Sequence, residues 1–227
     1  MANTIDVATN VEHLYIIKNY KPFNIENYVN LKTIAMFDGT MTDALRTAIQ
    51  NLAQQQKKLE NIIIPSWGPR IEESAFNGCS SLKSCKFGAL TSIGICAFQL
   101  ARNLVEFFLL KNVTLLEHHC FFDCSKLCTV GETLNELYLN VTNMEGANFE
   151  STGLVKVTLP KMTYLPGYVF QTCQALLRVD CPLVTSIGDN AFSGCRALNS
   201  CTFGVLTSIG SNAFNACSAL SPIPSVG

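Results

Sequence analysis

The apolar residues of this chain recur on a period near 22. One phenylalanine marks each cycle: Phe76, Phe98, Phe121, Phe149, Phe170, Phe192 and Phe214, at successive spacings of 22, 23, 28, 21, 22 and 22. Five positions before each anchor stands a large apolar residue: Ile71, Ile93, Leu116, Met144, Leu165, Ile187 and Ile209. Three positions earlier is another, in six of the cycles: Leu90, Val113, Val141, Met162, Val184 and Leu206. A cysteine follows the anchor by three in five cycles, at Cys79, Cys124, Cys173, Cys195 and Cys217. Then comes a leucine with apolar residues three and five further on, as in Leu82, Cys85, Phe87 and Leu198, Cys201, Phe203. That last spacing of two is the alternation of a strand with one face turned inward. Two segments, CKFGALTSIGICAF from Cys85 and CTFGVLTSIGSNAF from Cys201, agree at ten of fourteen positions.

A unit with a single strand cannot bury its own apolar face, whereas a stack of such units can, each residue type forming a ladder on its neighbour. The pattern therefore predicts a repeat solenoid, mainly parallel β with short helical turns, its strands about 4.8 Å apart. Residues 59–227 read as about seven units in one continuous domain, and 1–58 as an N-terminal cap. Within the cap, 41–57 predicts an amphipathic helix with the stripe Met41, Leu45, Ala48, Ile49 and Leu52, and with Arg46, Gln50 and Gln54 on the outside. Thr40 or Thr42 supplies the N-cap. Leu31, Ile34 and Met36 repeat the strand pattern of Leu59, Ile62 and Ile64, and Val11, Leu14 and Ile16 suggest an earlier strand. The 28-residue cycle holds an insertion. Placing its strand at Leu134, Leu137 and Leu139 rather than at Leu127 leaves 126–133 as a protruding loop. At the far end Pro222 and Pro224 interrupt the strand pattern.

Composition narrows the function classes. The chain of 227 residues is 48% hydrophobic and 15% charged, too apolar for a disordered polymer. Lys plus Arg number 16 against 17 for Asp plus Glu, so binding to nucleic acid driven by phosphate neutralisation is not expected. No apolar run reaches the roughly 18 residues of a membrane span. Asp6 and Glu12 lie where a secretory leader would carry its basic head and apolar core, so no export signal is visible and the compartment stays open. There are 11 cysteines, an odd number, and the laddered ones read as packed thiols rather than disulfides.

Reactive constellations are sparse. The cluster His118, His119, Cys120, Cys124 and Cys128 mixes zinc-ligand types, but Cys124 belongs to the cysteine ladder and Cys120 takes the place of the alanine before the anchor, so packing is the preferred reading and no metal is expected. There are three histidines, and no nucleophile elbow, zinc-helix, P-loop or dinucleotide fingerprint. Gly94, Gly188 and Gly210 share one repeat position and read as turn glycines. Asn112 and Asn140 head glycosylation sequons. A non-enzyme without a cofactor is the expectation.

The run A-F-x-G-C-x-x-L at 75–82 and 191–198, with T-S-I-G ahead of the second copy, resembles the BspA-type leucine-rich repeat proteins. The resemblance extends from about Leu59 onward. It implies a curved right-handed solenoid with a main parallel sheet and short strands or turns opposite, and it brings no catalytic residues. Members are mostly bacterial and protozoan surface proteins associated with adhesion to host proteins and other microbes, so it also implies a protein ligand and a cell-surface or secreted setting.

Solenoids commonly bind on the outward row of the main sheet. Here that row brings Phe108 and Tyr138 together inside a rim of Lys86, Glu106, Glu136 and Lys156, with Thr158 and Arg178 alongside. An aromatic centre with a charged rim is the pattern of a protein-binding patch. Binding through the concave sheet is thus the first expectation, and the loop at 126–133 would stand beside it. The second is self-association, with solenoid ends stacking into an assembly.

Overall fold

Each leucine-led segment alternates apolar and polar residues over three or four positions, and each forms one short strand. The structure, a computed structural model, describes residues 11–16, 28, 30–36, 41–56, 58–108, 112–130, 136–139 and 141–227. The chain runs β1 (His13–Ile16), β2 (Thr33–Met36), α1 (Asp43–Gln56), β3 (Asn61–Ile64), β4 (Arg70–Ile71), β5 (Ser84–Phe87), β6 (Ser92–Ile93), β7 (Glu106–Phe108), β8 (Leu115–Leu116) and β9 (Thr129–Val130). It continues β10 (Glu136–Tyr138), β11 (Asn143–Met144), β12 (Lys156–Thr158), β13 (Tyr164–Leu165), β14 (Arg178–Cys181), β15 (Ser186–Ile187), β16 (Ser200–Phe203) and β17 (Ser208–Ile209).

The strands β1-β2-β3-β5-β7-β9-β10-β12-β14-β16 form one ten-stranded parallel sheet, and the other seven strands, two residues each, form smaller sheets of four and three. This is a parallel β-solenoid, as the 22-residue period predicts. Register keeps the inward residues in line from Ile62 through Cys85, Phe107, Val130, Leu137, Val157 and Val179 to Cys201. The two early strands expected from Leu14 and Ile34 are present as β1 and β2.

The anchors form the other side of the core. Six of the seven phenylalanines are fully buried and Phe214 is 8% exposed. Their rings make one continuous stack, with neighbouring centroids 5.1–5.8 Å apart and planes within 16° of parallel. Around each anchor the backbone is held by a repeated device. Residues two before and two after it are left-handed in all seven units: Ser74 and Gly78, Cys96 and Leu100, His119 and Asp123, Ala147 and Ser151, Tyr168 and Thr172, Asn190 and Gly194, Asn212 and Ala216. These turns aim alternate N–H groups at the next rung. Tyr168, Phe170 and Thr172 donate to the carbonyls of Asp189, Ala191 and Ser193 at 2.9, 2.9 and 2.7 Å. Backbone groups that would otherwise be buried unpaired are thereby satisfied between rungs.

The cysteine ladder has a bonding role as well as a packing one. Cys124, Cys173, Cys195 and Cys217 each donate Sγ–H to the carbonyl of the preceding anchor, Phe98, Phe149, Phe170 and Phe192, at 2.9–3.1 Å. In the Phe149 unit Thr152 takes the cysteine position, and its hydroxyl donates to the Phe149 carbonyl at 2.9 Å. None of the eleven cysteines forms a disulfide. The glycines at one repeat position are there for close approach rather than for a special dihedral. A Cβ at Gly188 would stand 2.5 Å from the backbone nitrogen of Gly167.

Two expectations need correction. The segment 126–133 is not a loop over its described part: Leu127 and Val130 are fully buried, and β9 pairs with β7 on one side and β10 on the other. The 28-residue cycle therefore adds a whole strand to the main sheet, while the rings of Phe121 and Phe149 stay stacked at 5.4 Å. Physically, Leu127 and Val130 already keep the unit's spacing of three, and burying them outweighs leaving them in a loop. Positions 131–133 lie outside the described residues.

The second correction concerns the helix. Thr42 caps it, its Oγ1 accepting from Leu45 N–H at 3.2 Å, and Met41, Leu45, Ile49 and Leu52 are buried as the stripe predicts. Arg46 and Gln54 are not simply outside. Arg46 donates to the Trp67 carbonyl at 2.8 Å with its guanidinium 5.8 Å over the indole, and Gln54 Nε2 donates to the carbonyls of Ser74 and Ala75 at 2.8 and 3.1 Å. In later rungs the carbonyl just before the anchor accepts from the preceding rung. A side-chain amide does that for Ala75, so α1 closes this end of the stack with hydrogen bonds as well as apolar contact.

Candidate interaction face

Residues that alternate with the buried row point outward from the main sheet. One outward row runs Asn61, Ser84 and Glu106, then Lys156, Arg178 and Ser200, while Thr129, in the same register on β9, is buried; the next runs Ile63, Lys86 and Phe108, then Tyr138, Thr158, Asp180 and Thr202. On this face Lys86, Tyr138, Arg178 and Thr202 are exposed.

The structure places Lys86, Glu106, Phe108, Tyr138, Lys156, Thr158 and Arg178 on this one face, and the side chain of Glu136 lies outside the described residues. Lys86 and Arg178 are exposed; Glu106, Phe108, Lys156 and Thr158 are half-buried; Tyr138 is 42% exposed. Lys86 pairs with Phe108 across β5 and β7, and Glu136 with Lys156 and Lys156 with Arg178 across β10, β12 and β14. Phe108 and Tyr138, however, are not adjacent. Strand β9 stands between them, so two strand spacings, about 9.6 Å, separate their backbones. The aromatic centre is two islands, one flanked by Lys86 and the other by Thr158.

Charge is ordered along the sheet. At the first strands Lys32 pairs with Glu12 and Lys83 with Glu60, each at 2.8 Å. Hydrogen bonding to the Lys32 ammonium holds the Glu12 carboxyl below its ordinary value, and the reciprocal bond raises Lys32. Just before β7, β9, β12 and β14 this row carries Val105, Cys128, Val155 and Leu177, half-exposed or exposed, and Asn199 stands before β16. Two acids, Glu106 and Glu136, then precede two bases, Lys156 and Arg178. A cleft of about 340 Å³ lies among Val155, Lys156, Leu177, Arg178 and Asn199. Val155 and Leu177 are the contributors that the strand alternation alone missed. Their signal is visible one residue after each buried leucine, where earlier units carry charge.

The histidine–cysteine cluster is dispersed by the same fold. Cys120 and Cys124 are fully buried, their thiols donating to the carbonyls of Glu117 and Phe98 at 2.9 and 3.0 Å, while Cys128 turns toward Val105 and His118 Nε2 lies 3.6 Å from Glu145. Burial pushes the Cys120 and Cys124 thiols up, and burial followed by the neighbouring His118 pushes His119 down. Among the described residues no group of three or more His, Cys, Asp or Glu is placed to share a metal ion, and no helix is long and apolar enough to cross a membrane.

Comparison with known proteins agrees with this geometry. The profile "BspA type Leucine rich repeat region" matches residues 47–177 and 142–224, with six copies. Among solved structures, a leucine-rich repeat protein of T. pallidum is similar over 93% of this chain and 84% of its own, at 21% identity and a TM-score of 0.64. A leucine-rich cell surface protein from Faecalibacterium prausnitzii matches over 72% of this chain and 42% of its own, at 25% identity and a TM-score of 0.54. A leucine-rich repeat protein from Bacteroides ovatus matches over 91% of this chain and 57% of its own, at 17% identity and a TM-score of 0.52. The chain thus spans about half the length of the last two. A search of the curated proteins gives no match.

Proposed function

Because the chain belongs to the BspA-type leucine-rich repeat family, we propose that it is a non-enzymatic interaction module, of the adhesion or scaffold kind, that binds a protein through the outer face of its main sheet. The observation that carries the reading is the open patch across β5 to β14. Tyr138 is 42% exposed in the middle of a ten-stranded sheet, with Phe108 two strands away and Lys86, Glu106, Lys156 and Arg178 around them. Aromatic side chains bring large contact area at small entropic cost, and the surrounding charges give register and encounter rate. The likeness to a protein described as a cell surface protein supports an extracellular setting for the ligand.

The test begins with a pull-down against host matrix and microbial surface proteins, followed by titration of whatever is captured. Replacing Phe108 and Tyr138 together by alanine, with the fold verified by circular dichroism, should weaken binding at least thirty-fold, the equivalent of about 2 kcal/mol expected of a buried aromatic anchor. Full-strength binding by the folded double variant places the contact elsewhere.

A further inference from the structure

In each unit of the main sheet the buried leucine is followed by two residues at the entry to the strand. At β3 and β5 these are Glu60 with Asn61 and Lys83 with Ser84, and they satisfy one another. Lys83 Nζ donates to Glu60 and Ser84 Oγ to Asn61 Oδ1, each at 2.8 Å. At β12 and β14 the same places hold Val155 with Lys156 and Leu177 with Arg178. Arg178 is exposed, and among the described residues no carboxylate forms an ion pair with it. Asp180, the acid of β14 itself, stands two residues further along, in register with Thr158.

Two rows of unlike character therefore run side by side. Lys156 and Arg178 face each other in register, which sets two cations about 4.8 Å apart at the backbone. Next to them Leu177 is 42% exposed and Val155 half-exposed, and with Asn199 these four residues frame the cleft of about 340 Å³. The exposed ring of Tyr138 is one strand away, because β10 pairs with β12 and sets Tyr138 opposite Thr158.

Each row narrows the occupant. The charge calls for an anion, and a guanidinium fork beside an ammonium suits a carboxylate, which takes two N–H bonds from arginine and another from lysine. The aliphatic row calls for an apolar group joined closely to that anion. A sulfated sugar or a nucleic acid strand brings charge without aliphatic groups and leaves Val155 and Leu177 against water. An anionic membrane is met by clusters of roughly four to eight cations, and this cleft has two. We propose that the ligand of the outer face docks here through an acidic, aliphatic peptide segment. An Asp or Glu of the ligand is held between Lys156 and Arg178, and a neighbouring Val, Leu or Ile covers Val155 and Leu177. The proposal rests on the outer-face reading above and names the chemistry of that protein ligand.

The probe is a random peptide library displayed on phage and selected on the full chain. Selected peptides should carry an Asp or Glu next to an aliphatic residue. Synthesised with a fluorescent label, they should bind saturably in anisotropy titrations and weaken as salt is raised. Replacing the acid by its amide, or the aliphatic residue by serine, should each weaken binding at least ten-fold. Arg178→Gln and Leu177→Ser, both with the fold verified by circular dichroism, should do the same from the protein side. Lys161→Gln, an equal loss of charge on the exposed turn after β12, should leave binding unchanged. A library that yields no binder, binders without an acid, or equal weakening by Lys161→Gln overturns the proposal. So does heparin or single-stranded DNA binding more tightly than the peptides in an Arg178-dependent way, because a polyanion would then be the occupant. Peptides that ignore Arg178→Gln but are lost on replacing Phe108 and Tyr138 by alanine would sink the acidic segment alone and leave the outer-face reading standing.

Discussion

A phenylalanine inside the ring stack loses contacts on two sides when it is truncated. Phe192 has Phe170 at 5.5 Å and Phe214 at 5.3 Å, and it is fully buried. Phe192→Ala should therefore cost roughly 3–5 kcal/mol in a denaturant titration. Phe214→Ala should cost clearly less, since that ring is 8% exposed and has an anchor on one side alone. Equal losses would contradict the stacking order. The thiols make a second prediction. Burial is the main reason that Cys173 is pushed up to about 11 and Cys181 to about 12, from an ordinary 9.0. Between those limits the unfolded chain has released protons that the folded chain keeps, so stability is full below pH 9 and falls as pH climbs toward 11 and 12. Each thiol contributes a slope of up to about 1.4 kcal/mol per pH unit. Thermal midpoints at pH 8 and pH 10.5 would show the drop, and a flat profile would mean the ladder thiols are solvated.

At the scale of elements, α1 is a lid with directional bonds. Thr42→Ala should cost about 1 kcal/mol by removing the cap. Gln54→Ala should cost about 1–3 kcal/mol, because it strips the carbonyls of Ser74 and Ala75 of a donor while leaving them partly buried. Hydrogen exchange should then quicken in the Phe76 rung and leave the Phe170 rung unchanged, since each rung leans mainly on its neighbours. The helix itself was legible from the spacing of Leu45, Ile49 and Leu52. The aim of Gln54 was not, because a polar residue on a helix exterior carries no mark of what it will reach. Strand β9 was misread for a related reason. Thr129 and Val130 make a strand too short to alternate visibly, and the longer run at Leu134 to Leu139 looked like the better candidate.

Across the whole molecule, the solenoid and its two inward rows could be read from the phenylalanine period, because burial recurs at fixed positions. The left-handed pair about each anchor could not. Gly78, Gly194, Asn190 and Asn212 are residue types that tolerate positive φ, but Leu100, Tyr168 and Thr172 hold the same places and disguise them. Cooperative bonding between rungs overrides local preference there. The outer face was legible in membership and less so in layout. Alternation put Lys86, Phe108, Tyr138, Lys156 and Arg178 on one side, yet the spacing of Phe108 from Tyr138 depended on an extra strand that residue counting passed over.

The direction of the bonds about the anchors also bears on biosynthesis. The lid helix precedes the Phe76 rung in chain order, and each finished rung then presents donors toward the one to come. A nascent chain leaving the ribosome at about 5–20 residues per second delivers one 22-residue rung every one to four seconds or so, each onto a surface already shaped to receive it. Translation and assembly thus proceed in the same sense.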